Sequence, residues 1–244
     1  MHRFIVREGL IEGADVLFSQ EEAAHAFKVL RLREGEGVQL TDGEGRVFEA
    51  ELTEVTRERV AARVLGEMDG REAPVCITLY QGYPKADKLE LIVQKLTELG
   101  ACRIVPVVME RSVAKPDQKD KAKRKERLQR IALEAAKQCG RGRIPEVEEA
   151  ITWKQALGRF EGHELMLMPW EDAEDTHLKD VHAGNAQAKD IAIVIGPEGG
   201  ISVQEADEAK SAGAVCVTLG PRIMRTETAA LASVTVAMTL WGDI

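Results

Sequence analysis

Several features that would assign the chain to a particular class of protein are absent. The 244 residues include 4 cysteines and only 4% aromatic residues. Cys76, Cys102, Cys139 and Cys216 form no C-x-x-C pair, which predicts reduced thiols rather than a zinc site or a secreted disulfide framework. No apolar run approaches the roughly 18 residues of a membrane span, and the N-terminal residues lack the apolar stretch of a signal peptide. We therefore expect a cytoplasmic globular protein.

Motifs for common cofactors and metals are absent as well. No G-x-G-x-x-G follows an apolar run and no G-x-x-x-x-G-K-[ST] occurs, so the sequence indicates neither a Rossmann dinucleotide site nor a P-loop. The 5 histidines show neither H-E-x-x-H nor a zinc-type Cys-His spacing. We predict no metal. A nicotinamide-dependent dehydrogenase would fit an α/β pattern but lacks its fingerprint.

Positive charge is concentrated in one segment of an acidic chain. The formal net charge is −8, yet residues 111–143 contain 12 basic and 4 acidic residues, which leaves −16 for the remainder. Such asymmetry indicates contact between one face and a polyanion such as nucleic acid. A solvated helix face explains the same charges equally well.

The first 72 residues have the pattern of a small β domain. Short apolar stretches at 4–6, 16–18, 38–40, 47–52 and 60–65 alternate with polar residues and glycine-containing turns, as in a barrel. One helix interrupts them. Ser19 and Glu22 have the spacing of a capping box, and Ala23, Phe27 and Leu30 are predicted to share its buried face.

Strand and helix patterns alternate over residues 73–244. Buried strands are predicted at 75–79, 104–108, 164–168, 191–195 and 215–219, with helices at 88–99, 121–138 and 226–240. This order predicts a parallel α/β domain, joined to the first domain by a charged, glycine-containing linker near residue 72.

Three of these strands end in loops that contain glycine or proline. They read MP at 168–169, GPEGG at 196–200 and GPR at 220–222. The C-terminal ends of parallel strands form the usual ligand site, and glycine permits close approach of the backbone. The three loops are therefore predicted to line one pocket. GPEGG could equally be an ordinary turn before a helix capped by Ser202 and Glu205.

Five blocks resemble the RsmE family of bacterial uridine-N3 methyltransferases, which act on 16S ribosomal RNA and belong to the SPOUT superfamily. The blocks follow the family's order and span nearly the whole chain. They are HAFKVLR (25–31), KADKLELIVQKLTELG (85–100), EAAKQCGRGRIPEV (134–147), IGPEGG (195–200) and LGPRIMRTETAAL (219–231).

The resemblance implies an architecture that the pattern alone does not reveal. Residues 1–72 would form a PUA-like β-barrel that binds RNA. Residues 73–244 would form a SPOUT-type α/β domain whose C-terminal segment makes a deep trefoil knot around S-adenosylmethionine. The resemblance also implies that the substrate is the small ribosomal subunit, in the form of the assembled 30S particle. It further implies that the protein works as a homodimer. The apolar run 229–241 suits a dimer contact or an internal core helix.

The resemblance also implies a set of cofactor-binding residues, although each could instead be plain core. They are Leu167, Met168, Pro169, Ile195, Gly196, Gly199, Gly200, Leu219, Gly220, Ile223, Thr228 and Ala230.

Charged residues near these loops are the candidates for catalysis. Arg225 carries fixed donors suited to a developing uracil oxyanion, and Glu198 or Glu227 could accept the imide proton or orient that arginine. An ion pair between Glu198 and Arg225 that only stabilises the fold explains them as well.

Basic residues of both domains are the candidates for RNA contact, each with solvation as the alternative. They are His25, Arg31, Arg33, Lys85, Lys88, Arg111, Lys123, Arg124, Lys125, Arg141 and Arg143.

Two other functions share most of these features. A ribose 2′-O-methyltransferase of the same superfamily would share knot and cofactor, and an RNA-binding protein without catalysis would leave the pocket without a use.

Overall fold

The computed structural model describes residues 1–114, 116 and 120–244 and divides them into two compact units. The first unit comprises Met1–Glu72 together with Ala136–Ile144, and the second comprises Ala73–Ala135 together with Pro145–Ile244. The predicted boundary near residue 72 places residues 136–144 in the larger domain. In the structure they belong to the smaller unit.

The first unit is built on a five-stranded sheet with the strand order β1-β3-β4-β5-β2. Strands β1 and β3 are parallel, and the other pairs are antiparallel. Its elements are β1 (Arg3–Ile5), β2 (Asp15–Leu17), α1 (Gln20–Ala24), a π-helical segment (His25–Leu30), β3 (Gly37–Thr41), β4 (Val47–Val55) and β5 (Val60–Met68). One face of the sheet packs on a core that includes Phe4, Leu40 and Leu52, as the alternation along β4 predicts.

The helix of this unit departs from the predicted register. Ser19 caps α1 by accepting the backbone N–H of Glu22, but the Glu22 carboxylate binds Lys137 instead of completing a capping box. The helix then continues as a π-helix, in which each turn contains an additional residue. Ala26 therefore occupies the fully buried position, while Phe27 is 37% exposed. The prediction that Phe27 faces the core was wrong because it assumed a regular α-helix.

Residues 136–144 are held in the first unit by buried polar contacts. Lys137 Nζ lies 2.6 Å from Glu22 Oε1, and Arg141 Nη2 lies 2.8 Å from Glu72 Oε2. The Thr41 hydroxyl donates to the carbonyl of Gly142 at 2.6 Å. Arg141 is only 6% exposed, so this arginine has the environment of a structural residue rather than of a surface contact for RNA.

Replacing Arg141 by Met is expected to lower the free energy of unfolding by about 2 kcal/mol, because Glu72 loses its charged partner in a largely buried site. Urea denaturation followed by circular dichroism measures this change. Arg63→Met is the control. Its ion pair with Asp15 is exposed and should leave the free energy of unfolding nearly unchanged. Equal effects of the two substitutions would contradict a structural role for Arg141.

The second unit is an α/β structure around a seven-stranded parallel sheet. Six strands follow the order β12-β10-β11-β6-β7-β8, and β9 also pairs with β7. The strands are β6 (Cys76–Gly82), β7 (Arg103–Val108), β8 (Glu146–Val147), β9 (Ile151–Thr152), β10 (Leu165–Pro169), β11 (Asp190–Ile195) and β12 (Val215–Val217). The helices are α2 (Ala86–Glu98), α3 (Lys121–Cys139, whose last turn lies in the first unit), α4 (Trp153–Leu157), α5 (Leu178–Asn185), α6 (Val203–Ser211) and α7 (Thr226–Trp241).

The predicted alternation of buried strands and helices is confirmed in this unit. Every residue of β10 is buried, because helices cover both faces of a parallel sheet. Helix α7 packs against α2, α5, β6 and β11. One face of α7 therefore belongs to the internal core. This agrees with the interpretation of the apolar run 229–241 as an internal core helix. Ser202 and Glu205 form the capping box of α6.

Candidate active site

One large cavity lies where β10, β11 and β12 end, entirely within the second unit. Its volume is about 800 Å³. The loops after these strands supply most of its wall, and the first turns of α2 and α7 supply the rest. The strand ends converge because parallel neighbours in one sheet end at the same edge. The three loops singled out in the sequence therefore line one pocket, as predicted.

Glycine is required where these loops pack or bend. A Cβ on Gly199 would lie 2.8 Å from the carbonyl oxygen of Arg111, so the loop can follow its path only without a side chain. A Cβ on Gly220 would meet no atom within 4 Å, but the φ of this residue is +99°. The backbone conformation, not the available space, therefore favours glycine at this position.

A buried hydrogen-bond chain fixes the GPEGG loop to the start of α7. The Thr226 hydroxyl donates to the carbonyl of Gly196 at 2.6 Å, and Gln81 Nε2 donates to the Thr226 oxygen at 2.8 Å. Gln81 is fully buried and also donates to the carbonyl of Gly82. Strand β6 therefore positions two walls of the cavity through a single side chain.

Three charged residues form a cluster in the cavity region. Lys88 Nζ lies 3.0 Å from Glu227 Oε2 and 3.4 Å from Glu198 Oε1. The backbone N–H of Lys85 donates to the same Glu198 oxygen at 3.2 Å. The ion pair between Glu198 and Arg225 considered from the sequence does not form in the described part of the chain, because Lys88 is the cationic partner of both carboxylates.

These contacts determine how the cluster ionises. Burial by itself raises the pKa of Glu198, but backbone N–H donors and the charge of Lys88 outweigh it, and the pKa lies below its ordinary value. Glu227 behaves in the same way, with Lys88 and Arg225 as the nearby cations that lower its pKa. The carboxylate of Glu227, 3.0 Å away, raises the pKa of Lys88 above its ordinary value. All three groups therefore stay charged around neutral pH.

Most of the predicted cofactor residues line the cavity. The eight that do are Pro169, Ile195, Gly196, Gly199, Gly200, Leu219, Gly220 and Ile223. Leu167, Met168 and Ala230 are instead fully buried, and Thr228 is exposed outside the cavity lining. Leu167 and Met168 precede the end of β10, so their side chains lie inside the sheet rather than at its edge.

Other lining residues were missed in the sequence. The loop after β10 contributes Trp170, Glu171, Glu174 and His177 to the wall. The indole Nε1 of Trp170 is buried and has no hydrogen-bond partner. Lys88 was predicted to contact RNA, but it also lines the cavity. The only sequence signal for these four loop residues was their position directly after a strand.

The basic residues proposed for RNA contact have different environments in the second unit. Lys85, Arg111 and Lys123 are exposed, and Arg124 and Lys125 are half-buried. Arg111 Nη1 donates to the carbonyl of Gly199 at 3.3 Å, so this side chain borders the GPEGG loop. The guanidinium of Arg124 lies 5.4 Å from the centre of the Tyr83 ring.

The first unit presents a smaller basic surface around its π-helical segment. Arg31 and Arg33 are exposed and line a depression together with Phe27. His25 is half-buried, with its ring edge-on to Phe4. Arg143 is half-buried too, and its guanidinium is directed to the carbonyl of Glu44 at 3.4 Å. With Arg141 buried, the exposed cations of this unit that were predicted to contact RNA are Arg31 and Arg33.

Neither a metal cluster nor a membrane-spanning helix occurs among the residues that the structure describes. They contain no group of three or more histidine, cysteine, aspartate or glutamate side chains placed to hold a metal ion. None of their helices combines the length and apolar character required to cross a bilayer.

Comparison with known proteins identifies the family. Residues 71–238 match a model of the RNA methyltransferase domain, and residues 18–65 match a model of the RNA methyltransferase PUA domain. The ribosomal RNA small subunit methyltransferase E of Bacillus subtilis is 33% identical over 95% of this chain and 93% of its own. The chain belongs to the ribosomal RNA small subunit methyltransferase E family. The resemblance identified in the sequence is thereby confirmed, as is a PUA-like N-terminal domain.

Solved structures of similar proteins match this chain over nearly its full length. A crystal structure of ribosomal RNA small subunit methyltransferase E from Neisseria gonorrhoeae bound to S-adenosyl methionine has 36% identity and a TM-score of 0.89, covering 100% of this chain and 99% of that one. A putative methyltransferase from Legionella pneumophila in complex with the same cofactor has 31% identity and a TM-score of 0.86, covering 99% and 98%. These structures thus share the fold of both units of this methyltransferase E family member.

Proposed function

We propose that the protein transfers a methyl group from S-adenosylmethionine to N3 of a uridine in small-subunit ribosomal RNA. The observation that carries the proposal is the cavity at the ends of β10, β11 and β12, where two glycine-containing loops and the loop that begins at Pro169 meet a cluster of ionised side chains. Membership of the methyltransferase E family supplies the reaction class, and the cavity supplies a place for it.

The residues of the cavity fit the proposed cofactor. Its volume of about 800 Å³ is within the range of small-molecule sites, and apolar residues such as Ile195, Leu219 and Ile223 can cover an adenine ring. The buried Trp170 Nε1 is a donor without a partner in the protein, as expected of a group that serves a ligand. The carboxylates of Glu171 and Glu174 line the same wall and suit a ligand that carries positive charge.

The eight lining residues predicted from the sequence would hold this cofactor, together with Trp170. When bound, S-adenosylmethionine supplies an electrophilic methyl group on a positively charged sulfur. The protein has to hold the uracil in line with that methyl group and stabilise the negative charge that forms on the base. Arg225, which lines the cavity at the start of α7, carries donors suited to a uracil oxygen.

Glu198 and Glu227 would organise the cations of the site rather than accept the imide proton. Both carboxyl groups have a pKa below the ordinary value, which makes them weak bases. Each forms an ion pair with Lys88, and Arg225 lies near Glu227. Loss of the proton to solvent requires no other group of the protein.

The finer architecture belongs to the same proposal. The first unit would act as the RNA-binding domain and the second unit as the catalytic domain with a trefoil knot. The hydrogen-bond chain that ties the GPEGG loop to α7 supports a knot, because α7 follows the edge strand β12 yet packs on the central strands β6 and β11. A homodimer is supported by large apolar side chains left exposed on two packed helices, Leu91 on α2 (43%) and Val236 on α7 (38%).

The substrate would be an assembled 30S particle in the cytoplasm, bound through exposed cations. We propose Arg31, Arg33, Lys85, Arg111 and Lys123 as phosphate contacts, with His25, Arg124, Lys125 and Arg143 as partly buried neighbours that have a smaller role. Phosphate contacts position RNA without reading its sequence.

Replacing Lys123 by Ala is expected to weaken binding to small ribosomal subunits and to flatten its dependence on salt, reducing the slope of log affinity against log salt by about 1. Filter binding at several salt concentrations measures the slope. Lys154→Ala removes an exposed lysine of α4, outside the basic segment, and is the control. An unchanged slope for Lys123→Ala would remove this residue from the interface.

Transfer of labelled methyl groups to small ribosomal subunits that lack the modification tests the proposed function. Digestion of the RNA should yield labelled 3-methyluridine. Label in a 2′-O-methylated nucleoside, which alkaline hydrolysis distinguishes, would support the ribose methyltransferase instead. Tight cofactor binding without any transfer would mean that the substrate has been misidentified.

A further inference from the structure

Lys88 was predicted to contact RNA phosphate, but its side chain lies in the wall of the cavity. A residue that only contacts phosphate would not be needed there. Lys88 belongs to the first turn of α2, and its side chain is 30% exposed. Glu198 comes from the loop after β11 and Glu227 from the first turn of α7, so three separate elements bring these charges together. The two carboxylates fix the ammonium in position, unlike a lysine on an open surface.

We propose that the Lys88 ammonium donates a hydrogen bond to a uracil carbonyl oxygen and stabilises the negative charge that forms there during methyl transfer. The inference rests on the function proposed above and adds a catalytic residue to it. An ammonium has three donor positions. Glu198 and Glu227 are its ion-pair partners at 3.4 and 3.0 Å, and because Lys88 also lines the cavity, a bound ligand can accept a hydrogen bond from it.

The reaction needs such a donor. In the balanced step, the N3–H bond breaks and its proton goes to water. The remaining electron pair on N3 forms the new N–C bond, while the electrons of the breaking S–C bond stay on sulfur. Before the new bond forms, the negative charge is shared between N3 and the two carbonyl oxygens of uracil. A fixed donor at one of these oxygens is worth more in a cavity than in bulk water.

The charged groups around Lys88 keep it in the required form. Glu198 and Glu227 face it from two other elements, Arg225 lies near Glu227, and Lys85 contributes a backbone N–H to Glu198. The pair of carboxylates raises the pKa of Lys88, so the ammonium retains its protons throughout the reaction. Lys88 is thus a donor and not a proton acceptor.

A purely structural role for Lys88 is the competing explanation, since its two ion pairs connect α2 to a loop and to α7. The two roles differ in how they depend on the acidity of the uracil. Fluorine at C5 withdraws electrons and makes the N3–H bond more acidic, so a 5-fluorouracil ring needs less stabilisation from the protein. A structural defect affects both rings equally.

The experiment uses small ribosomal subunits that lack the modification and come from cells grown with 5-fluorouracil. These subunits contain uridine or 5-fluorouridine at the target position. Wild type, Lys88→Met and Lys88→Arg are compared, and mass spectrometry of the nucleosides gives the ratio of 3-methyl-5-fluorouridine to 3-methyluridine at low conversion. Because both substrates compete in one tube, the ratio does not depend on the amount of folded enzyme.

Lys88→Met is expected to reduce the single-turnover rate on uridine about 100-fold, the usual effect of removing one oxyanion donor. It should raise the ratio of fluorinated to ordinary product about tenfold over wild type. Lys88→Arg retains the charge but displaces the donor, and should change the ratio in the same direction by a smaller factor. It keeps the test decisive if Lys88→Met does not fold.

Cofactor affinity measured by calorimetry provides a readout besides activity and should change less than threefold in Lys88→Arg. A ratio equal to that of wild type in both variants would overturn the role of Lys88. Absence of 3-methyluridine with the wild-type protein would instead overturn the proposed function itself. The two failures are therefore distinguishable.

Discussion

Replacing Gly82 by Ala is expected to abolish methyl transfer almost completely and to destabilise the second unit. Gly82 ends β6 and is buried against the GPEGG loop. A Cβ at this position would lie 2.4 Å from the backbone nitrogen of Pro197 and 2.7 Å from the carbonyl carbon of Gly196. These atoms belong to the backbone, which cannot rotate away, so the strand end and the loop have to separate.

The separation should affect binding and alignment together. Overpacking of this kind costs about 3 kcal/mol of stability, or roughly 10 °C in melting temperature for a unit of this size. A displacement of about 1 Å in reacting groups reduces the rate about 100-fold, and weaker binding of the cofactor by the displaced loop adds about tenfold. The expected reduction in kcat/KM is therefore about 1,000-fold.

Gly184→Ala is the matched control for this substitution. Gly184 lies in α5 of the same unit, and a Cβ there meets no atom within 4 Å. Alanine favours a helix over glycine, so this variant should melt at the same temperature or slightly higher. Calorimetric melting and methyl transfer are measured for both variants. Near-normal activity of Gly82→Ala would show that the contact between β6 and the GPEGG loop does not set the geometry of the site.

The close approach of Gly82 to Pro197 also shows where sequence reasoning reaches its limit. The loops after β10, β11 and β12 could be grouped from the sequence, because parallel strands end at a common edge and glycine and proline mark those ends. The neighbour of β11 on its other side is β6, more than 100 residues earlier in the chain. Nothing local near Gly82 indicates this pairing.

The same reason explains the placement of Lys88. From the sequence, Lys88 was grouped with the other basic residues as a candidate for contact with RNA. Only the strand order, which places the start of α2 beside the end of β11 and the start of α7, brings Lys88 to Glu198 and Glu227. Chemistry that depends on three distant segments cannot be inferred from spacing within any one of them.

In the first unit, an irregular helical turn limited the prediction of which residues face the core. Ser19 was identified correctly as the N-cap, but the π-helical segment that follows rotates Ala26 into the core and Phe27 toward solvent. An additional residue in one turn leaves no compositional mark. Similarly, Arg141 belongs to a basic segment by sequence, yet it is buried beside Glu72 because residues 136–144 pack into the smaller unit.

The rate of methyl transfer by the wild-type protein is expected to rise about tenfold per pH unit between about pH 6 and 8.5, a change of roughly 300-fold, because the reacting uracil must lose one proton. Glu198 and Glu227 should add no inflection. Their pKa values lie below the ordinary value, so both remain carboxylates throughout this range. Single-turnover rates at saturating cofactor and subunit concentrations give the profile.

The cluster of ionised side chains is not lost within this pH range, so it does not alter the expected pH dependence of the rate. A carboxyl group whose pKa is lowered by folding contributes stability that is fully present above its ordinary value of about 4.3 and is lost as the pH falls through the lower folded value. Lys88 has a raised pKa, so its contribution is present below about 10.4 and is lost only as the pH rises through the higher folded value. The cluster formed by Glu198, Glu227 and Lys88 is therefore intact from about pH 5 to 10.

Two substitutions identify the proton acceptor from the shape of the profile. Glu198→Gln keeps an acceptor for the backbone N–H of Lys85 but removes a charge, and should lower the rate less than tenfold without changing the slope. His177→Gln tests the histidine that lines the same cavity, and should also leave the slope unchanged. A plateau at neutral pH that disappears in Glu198→Gln would make Glu198 the general base. A uniform slope in all three proteins would mean that solvent takes the proton, leaving the cations of the site to stabilise the charge on uracil.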